Sequence, residues 1–341
     1  KAAITDLHQM THPLDVIAIG NAIVDVLAHT DDAFLAEHDV PKGGMVLIDT
    51  EKAASITFAL NATDQVAGGS AGNTTACLAS LGGEAGFIGK VADDALGEVY
   101  RRSMRDIGVK MTTAPIANDI PTGRCLIAVT PDAERSMATF LGAAGHVSAN
   151  DVDPNLIESA NVTYFEGYLF EGEEPRSAFV KACEIARAAG KKTALTLSDV
   201  GVVERNRDAL LPFIEGHVDL LFANQEEARA LFGNHDDAGA LAVAMQKLVP
   251  YGAVTMSAKG SIVYGPDTEA TEVPAVAPPQ LIDTTGAGDA YAGGFLYGFT
   301  RGKPLAQCAT LGSTAAAEVI SHMGPRPEVS LKKLAAEKGL V

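Results

Sequence analysis

Positive charge is in short supply in this chain: 26 lysines and arginines stand against 43 aspartates and glutamates, a formal net charge of −17 at pH 7. So acidic a surface repels phosphate backbones and anionic headgroups, which argues against nucleic acid and an anionic membrane as partners. A polyphosphate bound here must be neutralised locally, by a divalent cation, helix N-termini and a few basic side chains. Cysteine is also sparse. Cys77, Cys125, Cys183 and Cys308 show no C-x-x-C spacing, so neither a zinc site nor a disulfide framework is expected, and the thiols are expected reduced and partly buried. Apolar runs of membrane-spanning length are missing, as is the apolar core of a signal peptide, which together read as a cytoplasmic protein. No G-x-G-x-x-G follows the first strand with an acidic residue about twenty positions on, which argues against a dehydrogenase.

What is present is enough for a large core. The 341 residues are 47% hydrophobic and include 34 glycines, the composition of a well-packed α/β enzyme. Val16 to Gly20 is a short continuous apolar run, as in a parallel strand buried on both faces. Later runs are Val162–Glu166, Thr193–Leu197, Val218–Phe222, Ala253–Ser257 and Ile262–Tyr264, the first four alternating with helical patterns around 176–189, 205–212 and 225–248. That alternation predicts a doubly wound, mostly parallel sheet flanked by helices. Between these stretches lie β-like segments without a helical pattern, which predict a small discontinuous β lid at 26–49 and 112–141. The large domain then takes 14–25, 50–111 and 142–330, with 1–13 as a leader. The acidic cluster Asp31, Asp32, Glu37 and Asp39 is expected in a solvated loop, and Leu96, Val99, Tyr100 and Ile107, at helical spacing, in the core.

The chemistry concentrates at Asp283-Thr284-Thr285-Gly286-Ala287-Gly288-Asp289, which opens an apolar, small-residue helix. Amides at a helix N-terminus lack intrahelical partners and carry partial positive charge, so the turn suits anionic oxygens. A carboxylate in the same turn would repel phosphate unless Asp289 takes a proton from something attacking it, which is general-base chemistry for phosphoryl transfer. An ordinary tight turn is the competing explanation. Asp25, just beyond the first strand, can accept from both hydroxyls of a vicinal diol or simply stabilise a turn. Gly68 and Gly69 allow close backbone approach before a small-residue helix, where Asn73 can donate and accept towards a sugar. Asn224 and Glu227 fall on one helical face, spaced either for a hydrated Mg²⁺ or for a capping box. Tyr168 and Phe170 follow a strand end and, with Phe140, are either an apolar slot for a flat base or plain core packing. Arg124 and Arg135 are among the few cations of the lid; Arg135 is either a solvated side chain or a phosphate partner.

The string D-T-T-G-A-G-D-A-Y-A-G-G-F resembles the C-terminal signature of the PfkB, or ribokinase-like, family of carbohydrate and nucleoside kinases. G-N-A-I-V-D ending at Asp25, the Gly68–Ala79 loop with its continuation to Asp94, and N-Q-E-E at Asn224 resemble further motifs of that family, in the same order, from Gly20 to about Pro325. The resemblance implies a ribokinase-like fold and transfer of the γ-phosphoryl group of ATP, with Mg²⁺, to an alcohol. It makes Asp289 the base and the amides of Gly286, Ala287 and Gly288 the anion hole. Asp25, Gly69 and Asn73, with Phe140 and Phe170, would hold the acceptor. Asn224, Ser257, Lys259, Gly260, Asp283, Gly286, Gly288 and His322 would border the nucleotide, and Asn224 and Glu227 would order magnesium. Met256-Ser257-Ala258-Lys259-Gly260 departs from the family's loop by carrying Ala258 in place of a glycine. The resemblance also leaves room for a monovalent cation such as K⁺, for which the sequence marks no residues, and for a monomer or a homodimer. The adenosine kinase branch is nearest, which makes adenosine the expected acceptor; a free sugar such as ribose or a ketohexose is the alternative, and a catalytically silent nucleotide sensor a third.

Overall fold

The computed structural model describes residues 13–60, 64–132, 134–235, 237–266 and 268–341. Most of the expected leader, residues 1–12, lies outside them. The first half of the chain runs β1 (Leu14–Ile19), β2 (Ile23–His29), α1 (Asp32–Glu37), β3 (Met45–Leu47), α2 (Thr50–Leu60), β4 (Asp64–Ala67), α3 (Ser70–Ser80), β5 (Ala85–Ile88), α4 (Ala95–Asp106), β6 (Gly123–Val129) and β7 (Arg135–Phe140). The second half runs α5 (Pro154–Ser159), β8 (Ala160–Glu166), α6 (Glu173–Ala188), β9 (Lys192–Thr196), α7 (Val200–His217), β10 (Leu220–Asn224), α8 (Gln225–Phe232), α9 (Ala238–Gln246), β11 (Tyr251–Thr255), β12 (Ser261–Tyr264), β13 (Thr271–Val273), α10 (Ala287–Phe299), α11 (Leu305–Val319) and α12 (Leu331–Glu337).

Eight strands form the large sheet in the order β13-β12-β11-β10-β9-β8-β1-β5. All neighbours from β5 to β11 are parallel, and β12 and β13 continue antiparallel. The strands are apolar on both faces because both faces are covered: Val16 and Ala18 of β1 join one core cluster, Ile17 and Ile19 the other. Each fully buried aliphatic side chain of this kind contributes roughly 1.5–3 kcal/mol. The small residues of α10 have a packing reason. A Cβ on Gly293 would lie 2.7 Å from the Thr74 carbonyl oxygen, and one on Gly294 2.6 Å from that of Leu311. Alanine at either would push α10 off α3 or α11. No helix among the described residues is long and apolar enough to cross a membrane.

A second sheet has the order β3-β7-β6-β2-β4. The chain first enters it at Gly20–Ala22 and leaves it at Gly68–Gly69, then returns for β6 and β7 before β8; the first two crossings touch, since Gly69 has φ 81° and a Cβ there would meet the Asn21 carbonyl oxygen at 2.1 Å. Only glycine tolerates both conditions. Asp94 fastens the sheet to α4. It caps that helix through the Gly97 amide (2.7 Å) and accepts from the Thr122 hydroxyl (2.6 Å) just ahead of β6.

Four expectations are corrected. β4, assigned to the large domain, pairs with β2 in the second sheet. The acidic stretch begins a helix: Asp31 accepts from the Phe34 amide and caps α1, as a short carboxylate before an apolar turn will. The helical stretch at 225–248 is two helices, because Gly233 takes φ 91° and ends α8. Ile107 is 38% exposed at the end of α4, whose core stripe is Tyr100 and Met104.

Candidate active site

In the large sheet the connections diverge at β1, with β5 on one side and β8 on the other. Ligand crevices of α/β sheets form at the carboxyl ends of such a pair. Here a cleft of about 580 Å³ opens. A larger cavity of about 790 Å³, beside Lys191, Lys192 and Lys303, contains none of the motif residues.

The floor of the cleft is the turn into α10. Asp283 organises it by accepting from the Thr285 amide (3.1 Å), the Thr285 hydroxyl (2.7 Å) and the Gly324 amide (3.0 Å), and it pairs with Arg135 at 2.8 Å. Burial raises its pKa, but these bonds outweigh it and hold the carboxyl below its ordinary value. Asp283 itself does not line the cleft; it shapes the turn that does. Gly286 takes φ 77°, and a Cβ there would strike Pro325 at 2.6 Å. Of the three amides expected to hold an anion, that of Ala287 donates to the Thr284 carbonyl at 3.2 Å and closes the turn. The Gly286 and Gly288 amides have no acceptor among the described residues and lie on the cleft wall.

Asp289 stands in the first turn of α10. Ser70 Oγ donates to its Oδ1 at 2.6 Å and Asn73 Nδ2 to its Oδ2 at 3.0 Å. Burial pushes its pKa up, opposed by those two donors and by the charge of Arg326. Asn73, expected to bind acceptor, also accepts from Arg326 Nε at 3.2 Å, so its amide is committed to orienting Asp289 although it lines the cleft. Asp25, on β2, opens on the same cleft, and its two oxygens have no hydrogen-bond donor among the described residues. Burial raises it to about 7, with Arg326 and Arg135 pulling down and Asp289 pushing up.

Glu166, which the sequence placed at a strand end without a role, is fully buried at the end of β8. It accepts from the Asn21 amide (2.8 Å), Asn21 Nδ2 (2.6 Å) and the Ala71 amide (2.8 Å), so it ties β8 to the first two chain crossings. Burial raises it to about 7 against those donors. The acidic end of an otherwise apolar strand was its only sequence signal.

Asn224 and Glu227 realise the capping box. Asn224 accepts from the Glu227 amide (2.8 Å), and its own amide donates to Glu227 Oε2 (3.0 Å). Both line the cleft. Glu227 is buried and raised to about 7 by burial, and no lysine, arginine or histidine among the described residues pairs with it. Of the expected nucleotide loop, Ser257, Lys259 and Gly260 occupy the turn beyond β11 and only Thr255 before them reaches the cleft wall. His322 is not among the residues that line the cleft; its Nε2 lies 3.2 Å from Glu318 Oε1.

The roof is one face of the second sheet. Met45 and Leu47 of β3, Ile23 and Asp25 of β2, Cys125 and Ile127 of β6, and Met137 and Thr139 of β7 all face the cleft at the two-residue period of a strand. That period corrects the aromatic slot. Phe140 falls on the opposite phase of β7 and lies under Arg124, with the guanidinium 5.8 Å from its ring. Phe170 is buried against Phe213, ring centroids 5.3 Å apart. Neither lines the cleft; Tyr168 does.

The family model described as "pfkB family carbohydrate kinase" matches residues 38–331. Adenosine kinase of Saccharomyces cerevisiae is 30% identical over 93% of this chain and 97% of its own. Among solved structures, adenosine kinase from Sinorhizobium meliloti is 43% identical with a TM-score of 0.88, covering 96% of this chain and all of that one. A probable sugar kinase protein from Rhizobium etli is 39% identical with a TM-score of 0.89, covering 97% of this chain and all of that one.

Proposed function

Because the chain belongs to the pfkB family of carbohydrate kinases and has its ribokinase-like fold, we propose that it transfers the γ-phosphoryl group of ATP to a primary hydroxyl of adenosine. The observation that carries this is the position of Asp289: beside two uncommitted helix-start amides, fixed by Ser70 and Asn73, on the wall of a cleft shared with Asp25 and an apolar roof. The acceptor hydroxyl gives its proton to Asp289 as its oxygen attacks the γ-phosphorus, and ADP departs. The Gly286 and Gly288 amides stabilise the charge on the transferred group without reorganising. Asp25, with no donor of its own, accepts from the ribose diol.

The roof favours a nucleoside over a free sugar. Met45, Leu47, Ile23, Ile127 and Met137 cover a flat base by apolar contact, and a ketohexose would leave them bare. Asn224 and Glu227 would hold a hydrated Mg²⁺: the Glu227 carboxylate is buried, accepts from Asn224 alone and has no cationic partner among the described residues, and the protein has little positive charge to spare. When bound, the ion neutralises phosphate oxygens. The second sheet limits water at the reacting centre, which protects the phosphoryl group from hydrolysis.

The test is Asp289→Asn, with turnover and adenosine binding measured together. Turnover should fall by about 10³-fold, within the range of general-base catalysis, with adenosine binding nearly unchanged. Unimpaired turnover would reject the mechanism.

A further inference from the structure

After α11 the chain returns to the site. Pro325 packs on Gly286, and the next residue, Arg326, extends between α3 and α4. Its Nε donates to Asn73 Oδ1 at 3.2 Å and its Nη1 to Ser103 Oγ at 3.1 Å, while Nη2 lies 3.8 Å from Met104 Sδ. No carboxylate among the described residues lies within ion-pair distance of it. A guanidinium placed inside a protein on neutral partners is costly, so its charge is expected to serve something at longer range.

We infer that Arg326 is a positioning residue: through Asn73 it sets the hydrogen-bond polarity at Asp289 and keeps that carboxylate ionised. The inference rests on Asp289 being the base. Arginine can only donate, so the Asn73 carbonyl must face Arg326 and the Asn73 NH₂ must face Asp289. A carboxylate offered N–H on one oxygen and the Ser70 O–H on the other is stabilised in its charged form. Without a donor-only partner the Asn73 amide can turn over and present its oxygen, which favours a protonated Asp289. The positive charge of Arg326 acts in the same direction, opposing burial at both Asp289 and Asp25.

The other groups that face this pair are accounted for. Cys77 of α3, Tyr100 of α4, and Tyr164 and Tyr168 beside the cleft are held far above their usual values by burial and stay neutral through the working range. Asp25 and Glu166, and Glu227 further off, are raised by burial to about 7 and titrate there. Asp25 acts on acceptor binding, so the acidic limb of kcat at saturating adenosine separates Asp289 from it.

The experiment compares Arg326→Lys, Arg326→Gln and Arg326→Met with the parent enzyme, measuring kcat at saturating ATP and adenosine from pH 5.5 to 9. Lysine, still donor-only, should keep the parent limb. Gln and Met should move it to higher pH by about one unit, as loss of a nearby opposite charge does, so that kcat falls about tenfold on the acid side and recovers on the alkaline side. Glutamine keeps polar packing and folds if methionine does not. A uniform fall at every pH, or an unshifted limb in the Gln variant, overturns the inference. Asp289→Asn is run in parallel. Its full turnover would remove the base and this inference with it, whereas an inactive Asp289→Asn beside an unshifted Arg326→Gln overturns the role of Arg326 alone.

Discussion

The two walls of the cleft are built on opposite principles. The floor is polar, tightly bonded and drawn from far-apart pieces of the chain: α3 holds Asp289 of α10 through Ser70 and Asn73, and α3 is braced in turn by the end of β8 at Ala71 and by the segment after α11 at Asn73. The roof is mostly apolar and drawn from adjacent strands; Thr139 donates to Cys125 Sγ at 3.3 Å, and its other members, Asp25 aside, are aliphatic or thioether side chains. Chemistry that moves a proton and a phosphoryl group needs donors held in place. Choosing among acceptors needs shape and apolar area. On the proposed reading, the contrast teaches that rate and selectivity reside on separate sheets, between which the chain passes four times, and Glu166 ties the first two of these passages together.

If so, changes to the floor and the roof should have different kinetic signatures. Asp25 belongs to the second sheet by position and to the polar set by chemistry, so it tests the division most severely. Asp25→Ala should lower kcat/KM for adenosine on the order of 10³-fold, the loss of two hydrogen bonds to a charged acceptor, mostly in KM. In the parent enzyme the carboxyl is raised to about 7 by burial, so it is protonated below that pH and ionised above it. Adenosine KM should therefore fall as pH rises through 7, and this slope should vanish in the variant. A dependence of KM that survives in Asp25→Ala would assign it elsewhere. On the apolar roof, Ile127→Ala should raise adenosine KM roughly tenfold, as removal of a few methyl groups from a pocket does, and leave kcat alone. An equal fall in kcat would mean that the two walls are not separable. The smallest functional effect is expected outside both walls. Phe170→Leu should cost about 1 kcal/mol of stability in denaturant unfolding with KM unchanged, because Phe170 packs on Phe213 behind the cleft. A raised KM there would restore it to the acceptor site.

How much of this was legible in the sequence follows the same division. The α10 turn was readable because its chemistry is local: glycines, a helix start and a carboxylate stand within four residues of Gly286. The parallel strands were readable because burial on both faces leaves unbroken apolar runs. The roof was misread where a single residue decides the phase: Phe140 looked like a slot residue by type, and one step along β7 turned it to the other face. Glu166 and Arg326 were passed over because their partners lie 95 and 253 positions away, at Ala71 and Asn73. No local pattern marks a contact of that span. Asn73, expected to face the acceptor, lines the cleft, and its hydrogen bonds run to Asp289 and Arg326, partners that no local pattern marks.

The division between a floor that reacts and a roof that selects a nucleoside is tested most directly by kcat/KM for adenosine, ribose and fructose under one coupled assay. Adenosine should exceed both free sugars by at least about 100-fold, the value of a filled apolar pocket. Ribose or fructose turned over as well as adenosine, or better, would contradict the account.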